Sequence, residues 1–235
     1  MRWSARPPFV SPALSGLTSV LQRPRLRRAA LRYADHDWHV LPGACLTGTK
    51  FVCGRPGCPT IACHPALESW EREATVDVAR VAAWWRSRPY SVLLATGRAF
   101  DVLEVPAHLG LRVLGAARLL AGVVGPGRGQ VRGPIAVTPT GRWMLLVAPG
   151  DPLRPELDEC LDVVRHGPGS WIPAPPTRMP EGPVRWAVSP EEVQWRLPDS
   201  YAVQAMLVDA LGLYGRHVDP RPLLPRQSTG ARYAA

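Results

Sequence analysis

The sequence contains a single lysine, Lys50, so arginine carries almost all of its basic charge. It also lacks a long uncharged apolar run, since the most apolar stretch, residues 109–125, carries Arg112 and Arg118. A membrane-spanning helix needs about 20 nearly uncharged residues, and the sequence therefore predicts no membrane contact. The N-terminus lacks the uninterrupted apolar segment of a secretory signal, so we expect a cytoplasmic protein.

Acidic residues are absent from residues 1–34, a segment that contains seven arginines. The net charge of +9 comes from the two ends of the chain, because residues 35–216 hold 18 bases and 18 acids. The central part is therefore not generically basic. A basic arm that contacts phosphate and a solvated basic tail are both consistent with this distribution.

No GxxxxGK[ST] phosphate-binding loop is present, and the segment 125–129 is too short and irregular to replace one. This absence argues against an ATPase or helicase motor. The apolar fraction of 46% is ordinary for a chain that buries a core. We predict a disordered leader over residues 1–22, one domain over residues 23–215 and a disordered tail over residues 216–235.

Apolar periodicity within the domain predicts both helices and strands. The predicted helices are residues 24–34, residues 75–86 with Thr75 as the N-cap, residues 106–121 and residues 200–213. The predicted strands are residues 38–41, Ser91–Ala95, residues 100–105, a hairpin of 135–138 with 143–148, and a pair formed by 160–164 and Trp171–Pro173. This mixture predicts a mixed α/β or α+β fold.

A Gly-, Pro- and Cys-rich loop over residues 43–66 carries a set of candidate metal ligands. Cys53, Cys58 and Cys63 recur every five residues, and His64 follows directly. Thiolates and imidazole are typical zinc ligands, so these four residues are the predicted zinc site. Free thiols and a single disulfide are the alternatives. Ligation by both Cys63 and His64 is sterically awkward, because they are neighbours in the chain.

The order of segments resembles the N-terminal domain of bifunctional DNA primase/polymerases, a family of the archaeo-eukaryotic primase group. The resemblance covers about residues 25–190 and rests on "ALRYADHDWHVLP", "CGRPGCPTIACHPALESWEREATVDVARVAAWW", "VLLATGRAFDVLEVPAHLG", "TPTGRWMLLVAP" and "LDVVRHGPGSWIPAPPT". It implies an RRM-like catalytic core that joins nucleotides on a template with two divalent cations, Mg²⁺ or Mn²⁺.

The resemblance also locates the catalytic positions, and two of the four are altered. The first acid of the family's Asp-x-Asp motif falls on Glu104, but the second falls on Pro106, which cannot bind a metal. The family's histidine falls at or beside Met144, whereas its third acid is retained as Asp162. This pattern predicts a catalytically degenerate member in which Glu104 and Asp162 are the residual catalytic residues. A structural ion pair is the alternative role for each.

Three arginines lie in turns that the resemblance puts near the nucleotide pocket: Arg98, Arg142 and Arg165. They are the predicted nucleotide-binding residues, with solvated turns as the alternative. Side chains alternate along a strand, so Asp101 is expected on the face opposite Glu104. His166 is interpreted as a loop residue without an evident partner.

Three functional hypotheses follow. The first is a replication-related domain that binds nucleic acid or a nucleotide with impaired catalysis. The second is an active template-dependent DNA primase/polymerase, which alone would require Mg²⁺ or Mn²⁺. The third is a zinc-stabilised interaction protein that does not bind nucleic acid. The expected partners are DNA or a nucleotide, together with a helicase or another replication protein.

Overall fold

The computed structural model describes residues 12–124 and 132–215, which fold into helices and several antiparallel sheets. The helices are α1 Pro12–Ala34, α2 Trp70–Glu73, α3 Val78–Ser87, α4 Ala107–Val124, α5 Pro155–Asp158 and α6 Ser200–Gly215. The strands are β1 Val40–Gly43, β2 Cys45–Thr47, β3 Lys50–Val52, β4 Ser91–Ala95, β5 Asp101–Pro106, β6 Ile135–Val137, β7 Arg142–Val147, β8 Val164–His166, β9 Trp171–Pro173, β10 Arg178–Met179, β11 Gly182–Pro183 and β12 Arg185–Val188. The predicted mixed α+β fold is confirmed.

A five-stranded sheet in the order β12-β6-β7-β5-β8 forms the centre of the fold. All of its strand pairs are antiparallel, and the predicted hairpin appears as β6 and β7. Strand β5 is paired on both sides, and in this register Glu104 lies opposite Met144 of β7 and Val164 of β8. The position of Glu104 is therefore set by both neighbouring strands.

The two faces of this sheet bury different cores, because successive side chains of a strand point to opposite faces. Leu103 and Val105 belong to a core that includes residues of α4 and α6. Val102 and Met144 belong to a second core, which includes residues of α1, α3 and the sheet β1-β4-β9. Glu104 is two residues after Val102 on β5, so its side chain points to the same face of the sheet, the face of the second core.

The predicted pairing of residues 160–164 with Trp171–Pro173 is wrong. Strand β8 pairs with β5 of the central sheet, whereas β9 pairs with β4 of the three-stranded sheet. The turn between them passes from one sheet to the other, and Thr96 Oγ1 fixes it by donating a hydrogen bond to the Gly167 carbonyl at 2.6 Å. Sequence proximity favoured a local hairpin, but the non-local partners β4 and β5 form the pairs instead.

The N-terminal helix is longer than the sequence pattern predicts. Residues 12–22, predicted as part of a disordered leader, are helical, and α1 continues through Pro24. Proline removes one N–H donor from the helix, but Leu26, Ala30 and Tyr33 bury α1 against the second core. Residues 1–11 and the predicted tail 216–235 lie outside the described residues.

Helix α3 begins at Val78, so its N-cap is not the predicted Thr75. The carboxylate of Asp77 accepts hydrogen bonds from the backbone N–H groups of Ala79 and Arg80, at 2.8 and 3.2 Å. Thr75 lies in the preceding turn, where its Oγ1 accepts from the Asp77 backbone N–H. Both residues are of capping type, and the sequence pattern placed the start of the helix too early.

None of the helices in the described ranges combines the length and hydropathy that a bilayer crossing would require.

Candidate functional site

Glu104 is the carboxylate at the centre of the candidate site, and its side chain is 23% exposed. Arg142 donates a hydrogen bond from Nε to Oε1 at 2.7 Å, and His166 Nε2 lies 2.9 Å from Oε2. A carboxylate only accepts hydrogen bonds, so His166 Nε2 must carry the proton. Both oxygens of Glu104 therefore have a protein partner.

These contacts join three strands, because Glu104 lies on β5, Arg142 on β7 and His166 on β8. The Arg142 guanidinium also donates to the main-chain carbonyl of Asp162 at 3.0 Å. On the other side of the carboxylate, His166 Nδ1 hydrogen-bonds with Ser170 Oγ at 2.9 Å. The result is a continuous polar network across one edge of the sheet.

The hydrogen bond with His166 lowers the pKa of Glu104 below its ordinary value, although burial opposes this shift. The hydrogen bond and charge of Arg142 act in the same direction as His166. Glu104 is therefore ionised at neutral pH, and its negative charge is balanced by neighbouring donors.

The network lies in the wall of a cleft of about 710 Å³. The opposite wall comes from the Cys-rich loop and includes Phe51, Ile61 and Cys63. The remaining lining is apolar, hydroxylated and, at Glu181, acidic, and its residues include Thr138, Thr140, Met144, Ser170, Trp171, Ile172, Pro173, Met179 and Pro180. The cleft thus offers charged donors at one place and apolar surface around them.

The residues at this site do not fit a two-cation polymerase centre. Such a centre needs several oxygen donors that converge on two closely spaced metals, and here both oxygens of Glu104 are already bonded. Met144 occupies the position opposite Glu104, and Pro106 ends β5. In the described part of the chain, three or more metal-capable side chains converge only at Cys53, Cys58 and His64.

The other predicted catalytic and nucleotide-binding residues are dispersed. Asp162 is exposed, and it contributes its carbonyl, rather than its carboxylate, to the bond with Arg142. Arg98 is exposed and donates to the Glu71 carbonyl at 3.2 Å. Of the three predicted arginines, only Arg142 lines the cleft with Glu104.

Arg165 lies on the face of the sheet opposite Glu104, where it binds Asp101. The guanidinium donates to Asp101 Oδ2 at 2.6 Å, and the Asp101 side chain is 1% exposed. The Gly150 backbone N–H also donates to Asp101 Oδ2 at 3.2 Å. The alternation argument correctly separated Asp101 from Glu104, and it also explains why Arg165 does not reach the cleft.

His166 and Ser170 are the site residues that the sequence pattern missed. His166 is the last residue of β8 rather than a loop residue, and it lies opposite Val102 in the pairing with β5. Only a correct prediction of the β5–β8 pairing could have placed His166 beside Glu104, because the two residues are 62 positions apart.

The Cys-rich loop places Cys53, Cys58 and His64 together, with all ligand atoms within 4.8 Å of one another. The loop starts with the β2–β3 hairpin and then reverses through Gly54 and Gly57, whose φ values are 86° and 71°. Glycine adopts such positive φ values at little cost, so it is suited to this turn. This turn brings Cys53 and Cys58 close together in space.

His64 is oriented as a metal ligand. Its Nδ1 donates to the Ala62 carbonyl at 2.7 Å, which directs Nε2 towards the cysteine sulfurs, 3.5 Å from Cys58 Sγ, where it can bind a metal once it carries no proton. Burial raises the pKa of the Cys53 thiol, but hydrogen bonds with His64 and Arg55 outweigh it and lower the pKa to about 6. Thiolate, the form that binds metals, is thus favoured at Cys53.

Cys63 differs from the other predicted zinc ligands. Its Sγ is not part of the group formed by Cys53, Cys58 and His64, and burial raises the pKa of its thiol to about 12. Cys63 packs against two apolar clusters of the core, one of which contains Leu41 and Leu93. The structure thus brings together three of the four predicted ligands.

Comparison with known proteins identifies the family of this chain. The model of the family described as bifunctional DNA primase/polymerase, N-terminal, matches residues 30–200, which is more than half of the 235 residues. The chain therefore belongs to this family, the Prim-Pol family, and is related to DNA primases and polymerases. No curated protein matches the chain.

Replacing Glu104 by Gln tests the charged network. We expect Glu104→Gln to lower the free energy of unfolding at pH 7 by about 1–2 kcal/mol, since charged hydrogen bonds are lost at a partly exposed site. The pKa of Glu104 is lowered in the folded state. The higher free energy of unfolding of the wild type is therefore fully present above about pH 4.5, the ordinary pKa of a glutamate. It is lost as the pH falls through the lowered pKa.

The measurement is urea denaturation of both proteins between pH 3 and pH 7. Glu156→Gln is the matched control, because the Glu156 side chain is 54% exposed and its ion pair with Arg154 spans 3.8 Å. That control should differ little from the wild type at any pH. A wild-type advantage over Glu104→Gln that stays constant down to pH 3 would contradict the assignment.

Proposed function

We propose that this Prim-Pol domain binds a nucleotide or a nucleic-acid strand in its cleft and has impaired nucleotidyl-transfer activity. The observation that carries the proposal is the pairing of both Glu104 oxygens with Arg142 and His166. The carboxylate that the family would use for a divalent cation here holds two donor side chains. The Arg142 guanidinium is the charged donor that this pairing keeps in the wall of the cleft.

The cleft has the chemistry that a nucleotide requires. The Arg142 guanidinium can bind phosphate oxygens, and the hydroxyls of Thr138, Thr140 and Ser170 supply further polar groups along the cleft. The partly exposed ring of Trp171 adds aromatic surface for a base. Ligand pockets typically combine such apolar lining with a few well-placed polar groups.

The first test of this proposal is nucleotide binding in the absence of metal. We expect a fluorescent deoxynucleoside triphosphate to bind in EDTA, because the Arg142 guanidinium can bind phosphate oxygens without a metal. Arg142→Gln should weaken binding about 10- to 100-fold, the loss of one charged hydrogen-bonding partner. Arg185→Gln removes an exposed arginine outside the cleft and should bind like the wild type.

Primer extension with Mn²⁺ separates this proposal from the two alternatives. The wild type should not extend a primed template. Template-dependent extension that is lost in Glu104→Gln would overturn the proposal in favour of an active primase/polymerase. Failure to bind either the triphosphate or an oligonucleotide would favour the zinc-stabilised interaction protein instead.

We also propose that Cys53, Cys58 and His64 hold a zinc ion that orders the Cys-rich loop. Two thiolates and one imidazole are donors that zinc prefers, and structural zinc sites commonly fix loops with little secondary structure. Ile61, Ala62 and Cys63 of this loop line the cleft. Metal binding would therefore stabilise one wall of the nucleotide site.

Metal analysis of purified variants tests the zinc proposal. Protein produced with zinc available should carry about one equivalent, and Cys58→Ser should lose it and make residues 45–66 more sensitive to protease. Cys160→Ser is the control, because Cys160 lies outside the ligand group, and it should keep the metal. Cys63→Ser should also keep it, and loss there would restore Cys63 as a ligand. Wild type free of metal with all thiols titratable refutes the site.

A further inference from the structure

A second, strongly basic groove lies between α1 and α3, away from the cleft. Its volume is about 850 Å³, and it shares no lining residue with the cleft. Five arginines and one acid, Asp35, line the groove, and the arginines are Arg23, Arg27, Arg28, Arg32 and Arg86. The α1 wall carries four of these arginines and the α3 wall carries one, so the charge lies mainly along α1.

Most of this charge is not neutralised within the described residues. Arg32 pairs with Glu191 at 2.7 Å, whereas Arg27, Arg28 and Arg86 form no ion pair with any described side chain. Arg23 donates only to the Arg86 carbonyl, at 3.4 Å. The groove therefore has at least three exposed guanidinium groups available for an anion.

The arrangement of these arginines works against the helix that carries them. Arg23 and Arg27 are four residues apart on α1, as are Arg28 and Arg32, and like charges at this spacing repel each other and destabilise a helix. No acid follows on α1 to relieve the repulsion, since residues 1–34 contain none. A bound polyanion would remove this unfavourable interaction.

Part of the groove lies outside the matched family segment. The family match begins at residue 30, after Arg23, Arg27 and Arg28. Trp85 also lines the groove, but it is 1% exposed, so a base cannot stack on it. The groove offers guanidinium groups for phosphates and no aromatic platform for bases.

We propose that this groove binds the sugar-phosphate backbone of a nucleic-acid strand independently of its sequence. Guanidinium groups bind phosphate oxygens through paired hydrogen bonds, and contacts with the backbone alone carry no sequence information. The choice of nucleic acid over other polyanions rests on the proposed function. The groove would hold the strand by its backbone, while the cleft holds the nucleotide.

The test is the salt dependence of binding to a fluorescently labelled oligo-dT strand, measured by anisotropy in EDTA. If each groove arginine neutralises one phosphate, R23Q/R27Q/R28Q/R86Q should flatten the log–log salt slope by about 3. Between 50 and 200 mM salt, this change corresponds to about 50-fold in relative affinity. The control R72Q/R118Q/R185Q/R196Q removes the same number of charges from exposed positions outside the groove and should keep the wild-type slope.

Two further variants serve as controls. The lysine variant separates the effect of charge from an effect on folding, and Arg142→Gln separates binding in the groove from binding in the cleft. R23K/R27K/R28K/R86K keeps the positive charge and should retain most of the slope, whereas loss of the slope in this variant overturns a phosphate contact. Arg142→Gln should lose triphosphate binding but keep the slope for oligo-dT. If Arg142→Gln loses oligo-dT binding while the groove variant binds like the wild type, the cleft proposal stands and the groove proposal fails.

Three other results also overturn the groove proposal. The first is an equal loss of slope in the groove variant and in the control, which would indicate a general charge effect. The second is no binding of oligo-dT by the wild type at low salt. The third is equally effective competition by poly-glutamate of matched charge, which would indicate a general polyanion surface.

Discussion

A carboxylate that is largely shielded from water needs hydrogen-bond donors from the protein. In this protein that carboxylate is Glu104, whose side chain is 23% exposed. Arg142 from β7 and His166 from β8 meet it, and together they fix the register of three strands at one sheet edge. On the opposite face, Asp101 and Arg165 form a second link between β5 and β8. Side chains on both faces of the sheet therefore connect β5 to β8, and the Thr96–Gly167 hydrogen bond holds the turn that follows.

The same pairing determines what the cleft can do. In a two-cation centre, carboxylates remain available to the metals, and the metals bind the triphosphate. Here the carboxylate is bonded to protein donors, and under the proposed function the arginine and hydroxyl groups of the cleft would recognise phosphate instead. Under the proposed function, this member of the Prim-Pol family keeps a cleft for a nucleotide, while Pro106 and Met144 stand where the resemblance implies an acid and a histidine. The basic groove beside α1 would add affinity for a strand without adding catalytic groups.

The sequence predicted the features that depend on local pattern. Apolar runs located β4 and β5, turn residues located the β6–β7 hairpin, and periodicity located α6. The alternation of side chains along a strand was sufficient to separate Glu104 from Asp101, because it depends only on their spacing in the chain.

Features that depend on distant contacts could not be predicted in this way. The pairing of β8 with β5 decides that His166 meets Glu104 and that Arg165 meets Asp101, and no local pattern encodes it. Adjacent Cys63 and His64 were equally plausible ligands by type, but the backbone turns the His64 ring towards Cys58 and packs Cys63 against apolar residues instead. The length of α1 was underestimated because residues 12–22, which are helical, show no amphipathic period in the sequence.

The central claim is that Glu104 no longer serves a catalytic metal centre. The most direct measurement is a calorimetric titration of the wild type with Mn²⁺, in the presence of a non-hydrolysable deoxynucleoside triphosphate and after subtraction of the Mn²⁺ bound by the free triphosphate. Our account predicts no tight protein-dependent Mn²⁺ site and no difference between wild type and Glu104→Gln. Two tight sites that disappear in Glu104→Gln would contradict it.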